Sequence, residues 1–201
     1  MDWLKYEKEA YEKGFTSVCG VDEAGRGPLA GPVCAAAVIL PKGKIIDGVN
    51  DSKKLSEKKR EQLFDVITDE AIAYGTGWAS VEEIEKINIL NAAMLAMKRA
   101  VEELKVKADF AYIDGNKVPD LDIPCAAVVK GDAISMSIAA ASILAKVSRD
   151  RLMLEYAKQY PEYMFEKHKG YGTKVHNEAI LKYGPCPIHR MSFLKKLLSK
   201  K

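Results

Sequence analysis

The segment Val21-Asp22-Glu23-Ala24-Gly25-Arg26-Gly27-Pro28-Leu29-Ala30-Gly31-Pro32 constrains this chain more than any other. It sets two adjacent carboxylates at the end of an apolar run, followed at once by a glycine-flanked arginine. Gly25 and Gly27 permit positive φ and close backbone approach to a ligand. Pro28 and Pro32 stiffen the stretch and keep it from becoming a helix. Side chains on a regular strand alternate between faces. For Asp22 and Glu23 to share a cation, the strand therefore has to end or bulge at Glu23, and Ala24-Gly25 suits that. Such a segment can hold a divalent cation and bring main-chain amides up to a sugar or phosphate beside it. Taken alone, Asp-Glu before a glycine turn is more often solvated punctuation. The spacing Gly25-x-Gly27-x-x-x-Gly31 half-matches a dinucleotide fingerprint, which needs a helix after the glycines. Val33 to Leu40 instead reads as a second strand ending at Pro41, so the nucleotide-cofactor reading is discarded.

With 201 residues the chain can fill one core. It is 48% hydrophobic and 29% charged, ordinary for a soluble globular protein. No apolar run approaches the ~20 residues of a membrane span, and the charged N-terminus carries no signal-peptide pattern. Cys19, Cys34, Cys125 and Cys186 are scattered, with only Cys186-x-x-His189 resembling half a zinc site. A reduced, cytoplasmic setting fits them. Residues 1–129 hold 17 Lys/Arg and 22 Asp/Glu, whereas residues 130–201 hold 14 and 6. That asymmetry suggests a C-terminal third facing a polyanion.

The pattern predicts a short polar helix over 2–14 and strands over 16–23 and 32–40. A loop with Ser52-Lys53-Lys54 leads to a helix capped by Ser56 and running to about 72, then a third strand over 73–79. Apolar residues at helical spacing predict a helix over 88–105. Strands over 109–114 and 123–129 follow, then a long helix with Asp132 as N-cap. Its small residues, Ser135 to Ser142, allow close approach to the sheet. Two further short helices are expected beyond Tyr160. The first three strands form an antiparallel meander, and the fourth, after a helical crossover, lies parallel to the first. Asp114 then comes beside Asp22.

Asp22, Glu23, Asp114 and Asp132 can thus converge. Singly, Asp114 reads as a turn residue and Asp132 as a helix cap. Jointly they favour a site for a hard cation such as Mg²⁺ or Mn²⁺. His168, His176 and His189 lie in the tail, where a lone histidine is usually structural or solvated.

These residues resemble the type 2 ribonuclease H family, in its bacterial ribonuclease HII branch. The resemblance rests on Asp22 to Pro32, Asp51 to Ser56, Ile113 to Asn116 and Lys130-Gly131-Asp132. It continues through Ser142 to Asp150, His168 to Thr173 and Pro187 to Arg190, in family order over residues 18–193. It implies a single α/β domain over 1–201 with a ribonuclease H-like fold: a five-stranded mixed sheet flanked by helices, with a helical, substrate-binding C-terminal portion from about 160. It implies hydrolysis of the RNA strand in RNA–DNA hybrids and incision of duplex DNA 5′ of an embedded ribonucleotide, leaving 3′-hydroxyl and 5′-phosphate ends. Asp22, Glu23, Asp114 and Asp132 become the catalytic acids and metal ligands, Gly25-Arg26-Gly27 reads the ribose 2′-hydroxyl, and Tyr171 packs on the sugar at the RNA–DNA junction. Two cations about 4 Å apart can activate a water and stabilise the leaving oxygen. The 2′-hydroxyl is what separates RNA from DNA. Lys53, Lys54, Lys146, Lys169 and Lys174 are candidate phosphate contacts. A monomer without membrane association is expected.

The competing readings are a hybrid- or junction-binding module without catalysis, another divalent-metal phosphoryl-transfer enzyme on the same fold, such as a Holliday-junction nuclease or an integrase-like protein, and ribonuclease HIII. The four acids argue against the first and the ordered motifs against the second. About 17 residues before the first strand, and Tyr171 itself, argue against the third.

Overall fold

The runs Val18–Ala24 and Val33–Ile39 are covered on both faces, which is why they show so little polar alternation. β1 (Val18–Ala24) and β2 (Val33–Ile39) are antiparallel across the glycine loop, and β3 (Ala73–Ala79) extends the meander beside β2. β4 (Phe110–Asp114) runs parallel to β1 with Val21 opposite Ile113, and β5 (Cys125–Val128) runs parallel to β4. The order is β3-β2-β1-β4-β5, the mixed five-stranded sheet expected. This computed structural model describes residues 2–199; the outermost positions of the expected domain, 1 and 200–201, lie outside them.

α3 (Val81–Glu102) covers one face of the sheet, packing Ala93, Ala96 and Met97 with Val21, Ala35 and Ala37. α2 (Glu57–Glu70) and α4 (Met136–Gln159) cover the other, where Ala36 and Val38 share a core with Leu63, Ile67 and Leu144. Successive residues of β2 thus serve opposite cores. Small residues set the spacing as expected: a Cβ on Gly20 would overlap the α4 backbone at Ser137 and Ile138. α1 (Lys5–Glu12) brings the buried Glu7 to the start of α4, where it accepts from Ser135 Oγ at 2.8 Å and Ser137 Oγ at 2.6 Å.

Two helix starts differ from expectation. α3 begins at Val81, behind a Ser80–Glu83 capping box, and is interrupted at Asn88, whose φ is 67°. Asn88 Oδ1 accepts from Leu90 N at 3.0 Å and Asn91 N at 3.1 Å, so the residue caps the second half of the helix. The expected start at 88 is that internal cap. The N-cap of α4 is Ser135, not Asp132. Asp132 lies in the preceding 3₁₀ turn Gly131–Ala133, entered through Lys130 at φ 58°. A turn of this kind lets its acid face β4 instead of crowning the helix.

The tail holds α5 (Phe165–His168), α6 (Lys174–Tyr183) and α7 (Met191–Leu198), one helix more than expected. Phe165, Ile180 and Leu194 form a small core with Met153 of α4 and Ala30 of the glycine loop. Leu29 N donates to Gly170 O, Gly31 N to Ile188 O and Arg190 N to Leu29 O, each at 2.8 Å. The glycine loop and the tail are therefore one knitted unit.

Candidate active site

The parallel pairing of β1 with β4 ends both strands at the same edge of the sheet and brings Asp22 and Asp114 together. The predicted break at Glu23 is absent. The ladder between β1 and β2 stays regular through Ala24 opposite Cys34, so Asp22 and Glu23 leave the strand on opposite faces. They reach a common cleft because the strand stops there, and the cleft wraps around its end. That cleft encloses about 500 Å³ and is lined by Asp22, Glu23 and Asp114, by Gly25, Arg26 and Gly27, and by Lys53, Lys146 and Tyr171. Asp132 stands at its margin: its N–H approaches Asp114 Oδ1 at 3.4 Å and its Oδ2 meets Lys53 Nζ at 3.4 Å. Lys54 is exposed on the same turn but does not line the cleft. Lys174 is exposed on α6, near Glu178 at 3.8 Å. Lys169 is spoken for: its Nζ donates to Glu166 O at 2.7 Å and pairs with Glu57 at 3.6 Å, and little of its side chain is exposed.

Electrostatics within the cleft are frustrated. Asp22 is only 3% exposed and accepts from Glu23 N at 2.7 Å. Burial, then repulsion from Glu23 and Asp114, pushes its carboxyl well above the usual carboxylate range. Glu23 is raised by burial, against the pull of Arg26, whose Nη1 lies 3.1 Å from Glu23 Oε1. Asp114 is raised by burial and by Asp132, and relieved by the Gly131 N–H that donates to its Oδ1 at 2.7 Å. Arg26 and Lys53 supply the local counter-charge. Among the described residues, no three acid, histidine or cysteine side chains already close into a cage around an ion. The donor chemistry nonetheless suits a hard divalent cation, because the cleft offers carboxylate oxygens and no histidine or cysteine lines it.

Several contributors were not singled out in the sequence. Ser52 and Ser142 line the cleft and share a hydroxyl hydrogen bond of 2.9 Å that pins the Lys53 turn onto α4. Ile89, just past the α3 interruption, and Phe193 of α7 form its apolar rim. Two fully buried arginines shape the glycine loop. Arg190 donates to Gly25 O at 2.7 Å, Arg26 O at 3.1 Å and Gly31 O at 2.9 Å, and Arg149 donates to Ala30 O at 2.9 Å and Pro32 O at 3.0 Å. The one available signal was the presence of both arginines in the family motifs. The tail histidines are neither solitary nor solvated, but buried side by side. A second cleft of about 390 Å³, between Trp78, Tyr156 and Ile188, has Arg99 paired with Glu83 at 2.7 Å and Glu82 accepting from Ser80 Oγ at 2.6 Å.

A sheet in the order β3-β2-β1-β4-β5, with carboxylates where its central parallel strands end, places this chain among the ribonuclease H-like nucleases. A family model described as Ribonuclease HII matches residues 19–196. The chain belongs to the ribonuclease HII family, endoribonucleases that act on RNA–DNA hybrids. It is 58% identical over 193 residues to the ribonuclease HII of Caldanaerobacter subterraneus subsp. tengcongensis, covering 96% of this chain and 80% of that one. It is 56% identical over 198 residues to that of Caldicellulosiruptor bescii, covering 98% and 96%. The crystal structure of ribonuclease H2 from Pyrococcus horikoshii matches with a TM-score of 0.76 at 28% identity, covering 92% of this chain and 98% of that one. Bst-RNase HIII, solved in complex with Mn²⁺, shares the fold with a TM-score of 0.71 at 18% identity, covering 92% and 70%.

Proposed function

We propose that this enzyme cuts the RNA strand of RNA–DNA hybrids and also incises duplex DNA 5′ of an embedded ribonucleotide, leaving 3′-hydroxyl and 5′-phosphate ends. One observation carries the reading: Asp22, Glu23 and Asp114 share a cleft with the Gly25-Arg26-Gly27 loop and Tyr171. Acids for the phosphodiester and a close-approaching backbone for the ribose thus lie within one substrate's reach.

Asp22, Glu23, Asp114 and Asp132 would hold Mg²⁺ or Mn²⁺, two ions per site; the oxygen-only donors and their mutual repulsion support this. When bound, the ions activate a water and stabilise the leaving oxygen. Arg190 takes up the Gly25 and Arg26 carbonyls, which holds the loop in one shape for amide contact with the 2′-hydroxyl. Gly27 leaves room beside the Tyr171 ring, on which the junction sugar would pack. Lys53, Lys54 and Lys146 would meet phosphates, Lys146 from its place 5.9 Å from the Tyr171 centroid. The basic region from about 160 would serve as the substrate-binding portion of a single domain. We expect a monomer in a reducing cytoplasm, in keeping with four free cysteines. Among the described residues no helix is long and apolar enough to cross a membrane.

A panel of RNA–DNA hybrid, single-ribonucleotide duplex, plain duplex DNA and a four-way junction, each with Mg²⁺, Mn²⁺ or a chelator, tests the reading. The first two should be cut, and only with a divalent cation. Cleavage of plain DNA or of the junction, or activity that survives chelation, would overturn it.

A further inference from the structure

Behind the cleft, the three tail histidines form a bonded series whose direction can be worked out. The Tyr171 carbonyl can only accept, so His176 Nδ1, 2.9 Å away, must carry a proton. A neutral His176 then presents a bare Nε2 to His189 Nε2 at 3.0 Å, and His189 must donate there. The opposite end gives the same answer. The Cys186 N–H can only donate, and it points at His189 Nδ1 from 2.9 Å, nearer than the Cys186 carbonyl at 3.3 Å. One proton order satisfies both ends: Cys186 N–H to His189, His189 to His176, His176 to Tyr171 O. His168 stacks on His176 with centroids 4.4 Å apart, accepts from Gly170 N at 3.2 Å and donates to Tyr163 O at 2.9 Å.

The series ends at a residue that is 44% exposed at the cleft, while His176 is 0% and His189 2% exposed. The other backbone bonds of Tyr171 are local, its N–H to His168 O at 2.9 Å and Thr173 N to its carbonyl at 2.8 Å. Leu29 bridges the neighbouring Gly170 carbonyl to Arg190 N, and the histidine series ties the Tyr171 carbonyl itself to the Cys186 turn. We propose that His189 and His176 are positioning residues for cleavage: a proton-ordered relay that fixes the Tyr171 backbone and so aims its ring at the substrate sugar. The inference rests on the proposed contact between Tyr171 and substrate.

Both rings must stay neutral for the order to hold, since a second proton would set two N–H groups against each other at one of the contacts. Burial and the neighbouring histidines favour neutrality, holding His176 and His189 down to about 4. The groups facing the pair are His168, the Cys186 thiol 3.1 Å from His189 Nδ1, and the Tyr163 ring 4.9 Å from His189. Glu166 and Lys169 act on His168.

The test uses side chains that mimic one ring nitrogen at a time. An Asn amide sits where Nδ1 of a histidine sits, and a Gln amide where Nε2 sits. His176→Asn keeps the donor to Tyr171; His176→Gln keeps the link to His189 and loses that donor. On a single-ribonucleotide duplex, His176→Gln should lower kcat/KM about tenfold, with His176→Asn recovering most of the loss. Tyr171→Ala should cause a similar loss, and adding His176→Gln to it should cost little more, because the two act through one contact. If Tyr171→Ala is impaired but His176→Gln is either fully active or additive with it, the relay is overturned and the substrate contact stands. If Tyr171→Ala cleaves normally, the substrate contact itself has failed and the relay's role falls with it. Should His176→Gln not fold, ¹⁵N spectra of the wild-type imidazoles decide: Nδ1–H on His176 with Nε2–H on His189 supports the relay, and any other pairing of tautomers overturns it.

Discussion

Asp22 is a residue the fold tolerates at a cost. Its carboxyl titrates above its ordinary value of 3.8 in the folded chain, so ionisation favours the unfolded one. This contribution to stability is greatest below the unfolded value and is lost as pH rises through the elevated folded one. Asp22→Asn should therefore raise Tm by about 4 °C at pH 7 without divalent cations, while hybrid cleavage falls by about three orders of magnitude. Calorimetry beside a cleavage assay checks both, and a lowered Tm would contradict the electrostatic argument. Mg²⁺ or Mn²⁺ should raise the Tm of the wild type and have much less effect on the variant. Gly25 is constrained differently: its φ is 100°, and a Cβ would overlap the Arg149 side chain. Gly25→Ala should destabilise by about 2 kcal/mol in urea melts and weaken the preference for ribose over deoxyribose. Asp22, Glu23 and the glycines were legible because chemistry and spacing sit together in one segment. Arg149 and Arg190 were not, because their partners in the glycine loop are backbone carbonyls well over a hundred residues away, and carbonyls leave no mark on a sequence.

Among elements, the strands were legible because five short apolar runs alternate with punctuation; the first hairpin follows from the short glycine-loop connection, and β3 pairs antiparallel with β2 although α2 lies between them. Helix starts were less so. Val81 to Ile87 shares α3 with the periodic run but is rotated against it by Asn88, so no single stripe spans the whole element. Ser135 took the cap of α4 from Asp132 because Gly131-Asp132-Ala133 forms its own turn under Asp114. The break at Asn88 also sets Ile89 on the cleft rim. Asn88→Ala, losing both the cap and an asparagine's tolerance of positive φ, should cost about 2 kcal/mol, and Asn88→Gly about half that. Equal costs in urea denaturation would show that backbone conformation is irrelevant there.

Across the whole molecule, acid should act in two opposed ways. His176 and His189, lowered from 6.5 to about 4, bind protons more readily unfolded, so stability falls as pH drops from about 6.5 towards 4 and no further below. Asp22 works in the opposite direction, so the histidine effect should be cleanest in Asp22→Asn, read as a falling urea midpoint between pH 7 and 4.5. The bonds from Gly170, Ile188 and Arg190 to the glycine loop have a consequence for biosynthesis. A ribosome finishes the acids and the loop long before it makes the segment that moulds them. Until residue 190 has been made, the nascent chain already carries Asp22, Glu23, Asp114 and Asp132 and still lacks the guanidinium that takes up the Gly25 and Arg26 carbonyls.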